Sequence, residues 1–145
     1  MFAVRGKMRP AIVLAGGQSK WATSPTEQIF ICAPFFAVDK GGITQSFVLD
    51  VQALRYPGMF YLPGNSLHHI EESVCRFDTV QVAHGTAIEP LQTGQNSVIL
   101  STEFYGLLKS QLLLYLGGKL PKEAADVVQI YTELVLNEAK SQGVK

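Results

Sequence analysis

The sequence is poor in the residues that mark several common classes of protein. In 145 residues it has two cysteines, three histidines and one tryptophan, and 17% of its residues are charged. Cys32 and Cys75 form no CxxC motif and lie in apolar runs, so we expect buried free thiols rather than a disulfide or a metal site. His68, His69 and Glu72 lack metal-ligand spacing. The sequence therefore predicts no metal and no cofactor.

Long apolar runs are also missing. The most apolar stretch, Leu112 to Leu116, is far shorter than the ~20 residues that a transmembrane helix needs. The first residues, Met1 to Arg5, contain no long apolar segment of the kind found in signal peptides. We therefore expect a cytoplasmic protein with no membrane part.

Charge of one sign is lacking overall, because twelve basic and twelve acidic residues cancel. Their distribution is uneven: Arg5, Lys7, Arg9 and Lys20 all precede the first acid, Glu27. Such a segment suits a phosphate backbone or an acidic partner. The same residues would serve equally well as a solvated basic edge, so charge alone leaves both interpretations open.

Two residues of this segment have a possible role in binding. Arg9 directly precedes the apolar run Pro10 to Leu14, and a guanidinium at the root of a strand can clamp a phosphate or form a structural ion pair. Trp21 can stack on a base or cover the core. Each alternative stays open from these residues alone.

The first two thirds of the chain read as short strands separated by glycine and proline turns. Pro34 predicts a bulge or kink in the second strand, and a change in the parity of polar residues predicts a bulge or strong twist in the last. The predicted strands are Pro10–Leu14, Gln28–Val38, Ser46–Leu54, Met59–Pro63 and Ser73–Ala83. This pattern favours a small β-barrel or sandwich in a single domain.

The last third of the chain predicts two helices. Ser101 is suited to cap the first, which runs to the glycine pair Gly117-Gly118. The second begins near Pro121. Its apolar residues follow helical spacing, and they are Val127, Ile130, Tyr131, Leu134 and Val135.

Three motifs in order resemble the PemK/MazF toxin family. They are the Arg-Pro-Ala-Ile-Val run of Arg9–Val13, the pair Ala33-Pro34, and the strand from Glu71 to Gln81, so that the resemblance covers residues 6 to 91. It implies an α+β, mainly β fold: an SH3-like β-barrel over residues 6–91 with two carboxy-terminal helices over 101–140, in one domain spanning 1–145. It also implies a homodimer and a metal-independent endoribonuclease that cleaves single-stranded RNA and is neutralised by an antitoxin peptide.

The chain departs from the family pattern in three ways. Only Met1 to Arg5 precede Gly6, where the family usually has a strand. Phe36 stands where the family has a catalytic threonine. The part beyond Leu91 is longer than in compact members. Loss of the hydroxyl at Phe36 removes a group on which the expected chemistry depends.

Metal-free RNA cleavage needs a base, an acid and a cation. The resemblance assigns the cation to Arg9 and a polar helper to Thr79. Among the remaining acid and base candidates, histidine has a pKa suited to neutral pH, which favours the loop residues His68 and His69; solvated loop histidines are the alternative. The other candidates are His84, Glu72 and Asp78.

Five residues are predicted to bind RNA: Arg5, Lys7, Lys20, Trp21 and Arg76. Two hypotheses follow. One is a PemK/MazF-like endoribonuclease toxin, and the other is a catalytically degenerate barrel of that type that binds protein or nucleic acid.

Overall fold

The computed structural model describes residues 10–18, 28–39, 42–66, 70–85, 92–93, 96–97 and 100–143. Over these residues the chain forms a small mixed α+β fold, with a curled antiparallel sheet and three helices. The strands are β1 (Ala11–Gln18), β2 (Gln28–Ala37), β3 (Met59–Leu62), β4 (Ser73–Arg76), β5 (Gln81–His84), β6 (Gln92–Thr93) and β7 (Asn96–Ser97). The helices are α1 (Gln45–Gln52), α2 (Thr102–Tyr115) and α3 (Lys122–Ser141).

Strand β2 is the centre of the sheet. One of its edges pairs with β1. Its other edge pairs first with β5, over Ile29 to Cys32, and then with β4, over Phe35 to Ala37. Strand β3 pairs with the far side of β4, while β6 and β7 form a separate short hairpin. One strand thus has two successive partners, which is the geometry of a half-barrel rather than of a flat sheet.

The single strand predicted for Ser73–Ala83, with a bulge or strong twist, is instead two strands. A 3-10 helix over Phe77–Thr79 separates β4 from β5, so the polar residues before and after it differ in parity. Pro34 lies on β2 between the residues that pair with β5 and those that pair with β4, where its missing N–H costs no ladder bond. The bulge in this part of the sheet falls in β1 instead, between Val13 and Ala15.

The strand predicted for Ser46–Leu54 is wrong, because this segment contains helix α1. The Oγ1 atom of Thr44 accepts a hydrogen bond from the backbone N–H of Phe47 at 3.3 Å, which caps the first turn. Val48 and Val51 are both buried. They are three residues apart, and this spacing places them on one face of a helix but on opposite faces of a strand.

Helix α1 ends at an unusual residue. Leu54 has a φ of 59°, a left-handed conformation that normally favours glycine. Backbone bonds from Leu54 N to Val51 O and from Arg55 N to Asp50 O, both 3.0 Å, form the Schellman pattern of a helix end. The Leu54 side chain is 8% exposed, so the burial of a large aliphatic group compensates for a strained backbone.

The other two helices are joined to this end of α1 by side-chain hydrogen bonds. Gln111 of α2 donates its Nε2–H to the Leu54 carbonyl at 2.9 Å, and Thr132 of α3 donates its Oγ1–H to the Ala53 carbonyl at 2.9 Å. Gln111 is fully buried. These bonds satisfy carbonyls that a helix end leaves without intrahelical partners, and they fix the position of all three helices.

The core lies between one face of the sheet and helix α2. Phe35, Cys75 and Phe60 form one row across β2, β4 and β3, and all three are buried. Leu107 and Leu108 belong to the same cluster. Each large apolar side chain that is fully buried contributes about 1.5–3 kcal/mol.

Both carboxy-terminal helices are confirmed. The Ser101 hydroxyl accepts from the N–H of Phe104 at 3.2 Å, and the end of α2 has Gly117 at a φ of 79° with Gly118 N bonded to Leu113 O at 2.9 Å. In α3 the apolar residues divide between two faces. Tyr131 packs against the core, and Val135 is buried, whereas Val127, Ile130 and Leu134 are each more than half exposed. None of the helices in the described part of the chain is both long enough and apolar enough to cross a membrane.

Candidate nucleic-acid interface

Two half-buried aromatic residues lie in one row on the face of the sheet opposite the core row. Phe36 of β2 pairs with Val74 of β4, and Val74 pairs with Tyr61 of β3. Directly opposite residues of neighbouring strands share a face. Phe36 and Tyr61 are therefore on the same side of the sheet, with Val74, which is buried at 4% exposure, between them.

Two charged residues of the β4 segment share this face. Side chains alternate along an extended chain, so Glu72 and Arg76 project to the same side as Val74. The Tyr61 hydroxyl donates to Glu72 Oε1 at 2.7 Å, which agrees with this placement. Burial, together with the bond to Glu72, raises the pKa of Tyr61, so this phenol stays protonated and acts as a hydrogen-bond donor. We call Phe36, Tyr61, Glu72, Val74 and Arg76 the outer face.

Arg76 is exposed and forms a local ion pair. Its Nε and Nη2 atoms donate to the two carboxylate oxygens of Asp78 at 3.0 and 2.6 Å. The bond to Arg76 lowers the pKa of Asp78 and the same bond raises the pKa of Arg76. Arg76, which is predicted to bind RNA, is thus on the surface. The Asp78 carboxylate beside it would compete with a phosphate for the guanidinium.

Thr79, predicted as a catalytic helper, lies at the end of the 3-10 helix. Its hydroxyl donates to the carbonyl oxygen of Arg76 at 2.8 Å. A hydroxyl that donates to the backbone stabilises a turn. Thr79 therefore has a structural role that its position in the sequence did not reveal.

The acid–base candidate and the cation of the outer face each have another partner, because Glu72 accepts from Tyr61 and Arg76 donates to Asp78. Glu72 and Arg76 are four residues apart on an extended chain, which puts their Cα atoms about 13 Å apart at ~3.3 Å per residue. Phe36 has no hydroxyl. Among the described residues, no cluster of three or more histidine, cysteine, aspartate or glutamate side chains could hold a metal ion.

Several predicted site residues lie outside the described residues. They are Arg5, Lys7, Arg9, Lys20, Trp21, His68 and His69. The nearest described neighbour of Arg9 is Pro10, whose carbonyl accepts from the N–H of Phe35 at 2.8 Å. The start of β1 is thereby held beside the residue that precedes Phe36.

Sequence reasoning missed the Tyr61–Glu72 pair. The two residues are eleven positions apart, and only the pairing of β3 with β4 brings them together. His84, an acid–base candidate, is on β5 opposite Ile29, at the other end of β2 from Phe36. Because Ile29 and Phe36 are at opposite ends of β2, His84 lies away from the outer face.

Comparison with protein-family models, with curated proteins and with solved structures gave no match to this chain.

Proposed function

We propose that the chain is an SH3-like barrel of the PemK/MazF type that binds single-stranded RNA on the outer face without cleaving it. The observation that carries the proposal is the pair of partly exposed rings, Phe36 and Tyr61, on either side of the buried Val74, with the exposed Arg76 on the same face. Aromatic rings stack on bases regardless of sequence, and an adjacent arginine contacts the phosphate backbone. The proposal keeps Arg5, Lys7, Arg9, Lys20 and Trp21 as further RNA-binding candidates; these residues lie outside the described part of the chain.

Three features of the outer face argue against cleavage there. Phe36 replaces the hydroxyl that the family uses. The hydroxyl of Thr79 is engaged by the Arg76 carbonyl. The Glu72 carboxylate is engaged by the Tyr61 hydroxyl and the Arg76 guanidinium by Asp78, whereas general acid–base catalysis requires groups within hydrogen-bond reach of the reacting atoms.

An active toxin is the second candidate function. In this case the protein is a cytoplasmic homodimer that cleaves single-stranded RNA without metal, with Arg9 as the cation and an antitoxin peptide as its inhibitor. The bond from Phe35 N to Pro10 O favours it, because it anchors the residue next to Arg9 beside the strand that carries the family's threonine position.

One experiment separates the two functions. The purified protein is incubated in EDTA with a long 5′-labelled single-stranded RNA, and both cleavage and binding are measured. The binding proposal predicts a complex without cleavage, weakened by Arg76→Ala. Cleavage that disappears in Arg9→Ala would instead establish the toxin, and the absence of both binding and cleavage by a folded protein would refute both.

The variant Phe36→Thr sharpens this test, because it restores the hydroxyl of the family pattern. A gain of cleavage in this variant alone would show that Phe36 is what removed the activity. Arg55→Ala is the matched control for Arg76→Ala. Arg55 is also an exposed arginine paired with an aspartate, Asp50, at 2.7 Å, and it lies at the end of α1.

A further inference from the structure

Helix α3 has an apolar stripe on its outward side. Val127, Ile130 and Leu134 are 56%, 58% and 63% exposed. They follow one another at intervals of three and four residues, so they form a continuous ridge on one face of the helix. The outward face of a helix is normally polar. Single exposed aliphatic residues are common on protein surfaces, but contiguous groups of them are uncommon.

Acidic residues lie at both ends of this stripe and along one of its sides. Glu123 is four residues before Val127 and Glu138 is four residues after Leu134, so one carboxylate stands one turn beyond each end. Asp126 and Glu133, four residues before and three residues after Ile130, both lie on the same side of it, about 40° and 60° round the helix. We call the three aliphatic and four acidic residues of α3 the acidic-rimmed stripe.

The carboxylates of the rim are not neutralised within the described part of the chain. All four are exposed. Glu133 accepts from Gln129 Nε2 at 3.0 Å and Glu138 accepts from Gln142 Nε2 at 3.3 Å, and both donors are uncharged amides. The ion pairs that the described residues form belong to Arg55 and Arg76, on other elements.

The two lysines of α3 lie away from the stripe. At 100° per residue, Lys122 and Lys140 have the same angular position, about 80° from Ile130 on the side beyond Asp126 and Glu133. The stripe therefore presents an apolar centre with carboxylates at both ends and along one side, and the lysines lie beyond that acidic side.

We infer that the acidic-rimmed stripe is a docking site for a basic amphipathic helix of a partner protein. A helix with aliphatic residues at i, i+3 or i+4, and i+7 would cover the ridge, and lysine or arginine one turn beyond each end would meet the carboxylates. Between Glu123 and Glu138 the site is about 22 Å long at 1.5 Å per residue, which matches a helix of ~15 residues.

Charge decides against other occupants of this surface. A second copy that paired through the same stripe would place acidic rims against each other, which costs affinity. Anionic lipid and nucleic acid carry the same sign of charge as the rim. A basic helix is the occupant for which both the apolar centre and the charged rim are complementary.

The inference can be tested with a designed probe and the full chain. The probe is a fluorescent 18-residue helical peptide with leucines at i, i+3 and i+7 and lysines one turn beyond each end. A second peptide keeps the leucines and replaces the lysines with glutamates. We expect fluorescence anisotropy to show binding of the lysine peptide at least 10-fold tighter than that of the glutamate peptide, with an affinity that falls as salt is added.

Three variants locate the binding. The double variant Ile130→Ser/Leu134→Ser is expected to lower the affinity for the lysine peptide at least 10-fold. The double variant Glu123→Gln/Glu138→Gln is expected to lower this affinity and also to reduce its dependence on salt. Val82→Thr is the matched control, since Val82 is a 67% exposed aliphatic residue on β5, and it should change nothing. Circular dichroism checks that every variant is folded.

Two results would overturn the inference. The first is a peptide affinity that does not depend on the stripe: either the lysine and glutamate peptides bind equally well, or the lysine peptide binds Ile130→Ser/Leu134→Ser as well as it binds the native protein. The second is a dimer, seen by sedimentation, that this double variant converts to a monomer, because the stripe would then be a self-interface.

Discussion

Under the proposed RNA-binding function, the ion pair between Arg76 and Asp78 should weaken the binding of RNA to the native protein. Arg76 donates two bonds to Asp78, the shorter at 2.6 Å, so a phosphate must replace a carboxylate that is already in place. We expect Asp78→Asn to strengthen binding of single-stranded RNA, because the amide no longer competes for the guanidinium and no longer repels the phosphates.

The magnitude follows from the exposure of the pair. The Arg76 and Asp78 side chains are 48% and 50% exposed, and ion pairs in such positions are weak. The gain in affinity should therefore be about 2- to 5-fold rather than orders of magnitude. In Arg76→Ala the affinity should fall by a similar factor. The slope of log affinity against log salt should lose about 0.7, the value for one phosphate contact on a single strand.

Fluorescence anisotropy with a labelled RNA over a series of salt concentrations measures both quantities. Asp50→Asn provides the control, because it breaks the comparable exposed pair with Arg55 while adding the same charge change elsewhere. Equal gains in Asp78→Asn and Asp50→Asn would show that only net charge matters. That result, or an unchanged affinity in Arg76→Ala, would refute the placement of RNA on the outer face.

Three further predictions concern the fold. Thr132→Val should lower the free energy of unfolding by about 1 kcal/mol, because it removes the hydrogen bond to the Ala53 carbonyl while keeping the shape, whereas Thr132→Ser should retain the bond; urea denaturation distinguishes them. Leu54→Gly should relieve about 1 kcal/mol of backbone strain but lose a buried side chain, for a net destabilisation of about 2–4 kcal/mol, and a stable variant would contradict this. Burial raises the pKa of Cys75 to about 12 and also raises that of Cys32, so native protein at pH 8 should resist alkylation at Cys75 far longer than denatured protein, as mass spectrometry of labelled peptides would show.

Helix α1 shows where sequence reasoning failed. The apolar run Ser46–Leu54 predicts a strand, although Thr44 stands at a capping position and Val48 and Val51 have helical spacing. A short segment with apolar residues in adjacent positions fits both periods. The helix is also stabilised by contacts that the local sequence does not show, since Gln111 and Thr132 donate to carbonyls at the end of α1.

Helices α2 and α3 were predictable because their ends carry local signals. Ser101 is a capping serine, Gly117 supplies the left-handed residue, and Pro121 precedes α3. The two-sided distribution of apolar residues on α3 was not predictable. Periodicity identifies apolar positions but does not tell which of them meet a neighbouring element.

The outer face was predictable only in part. Arg76 was expected to bind RNA, and Phe36 was expected to occupy the position of the family's threonine. Their neighbour Tyr61 was not foreseen, because register between strands brings it into the row. The local role of Thr79 depends on a hydrogen bond within a turn, which the resemblance to a toxin family did not indicate.

The most direct test of the central claim is a single incubation of the purified protein with labelled single-stranded RNA in EDTA, with binding and cleavage measured on the same sample. The account predicts a salt-sensitive complex that Arg76→Ala weakens, with the RNA intact. Cleavage of the RNA by the native protein, abolished by Arg9→Ala, would contradict it.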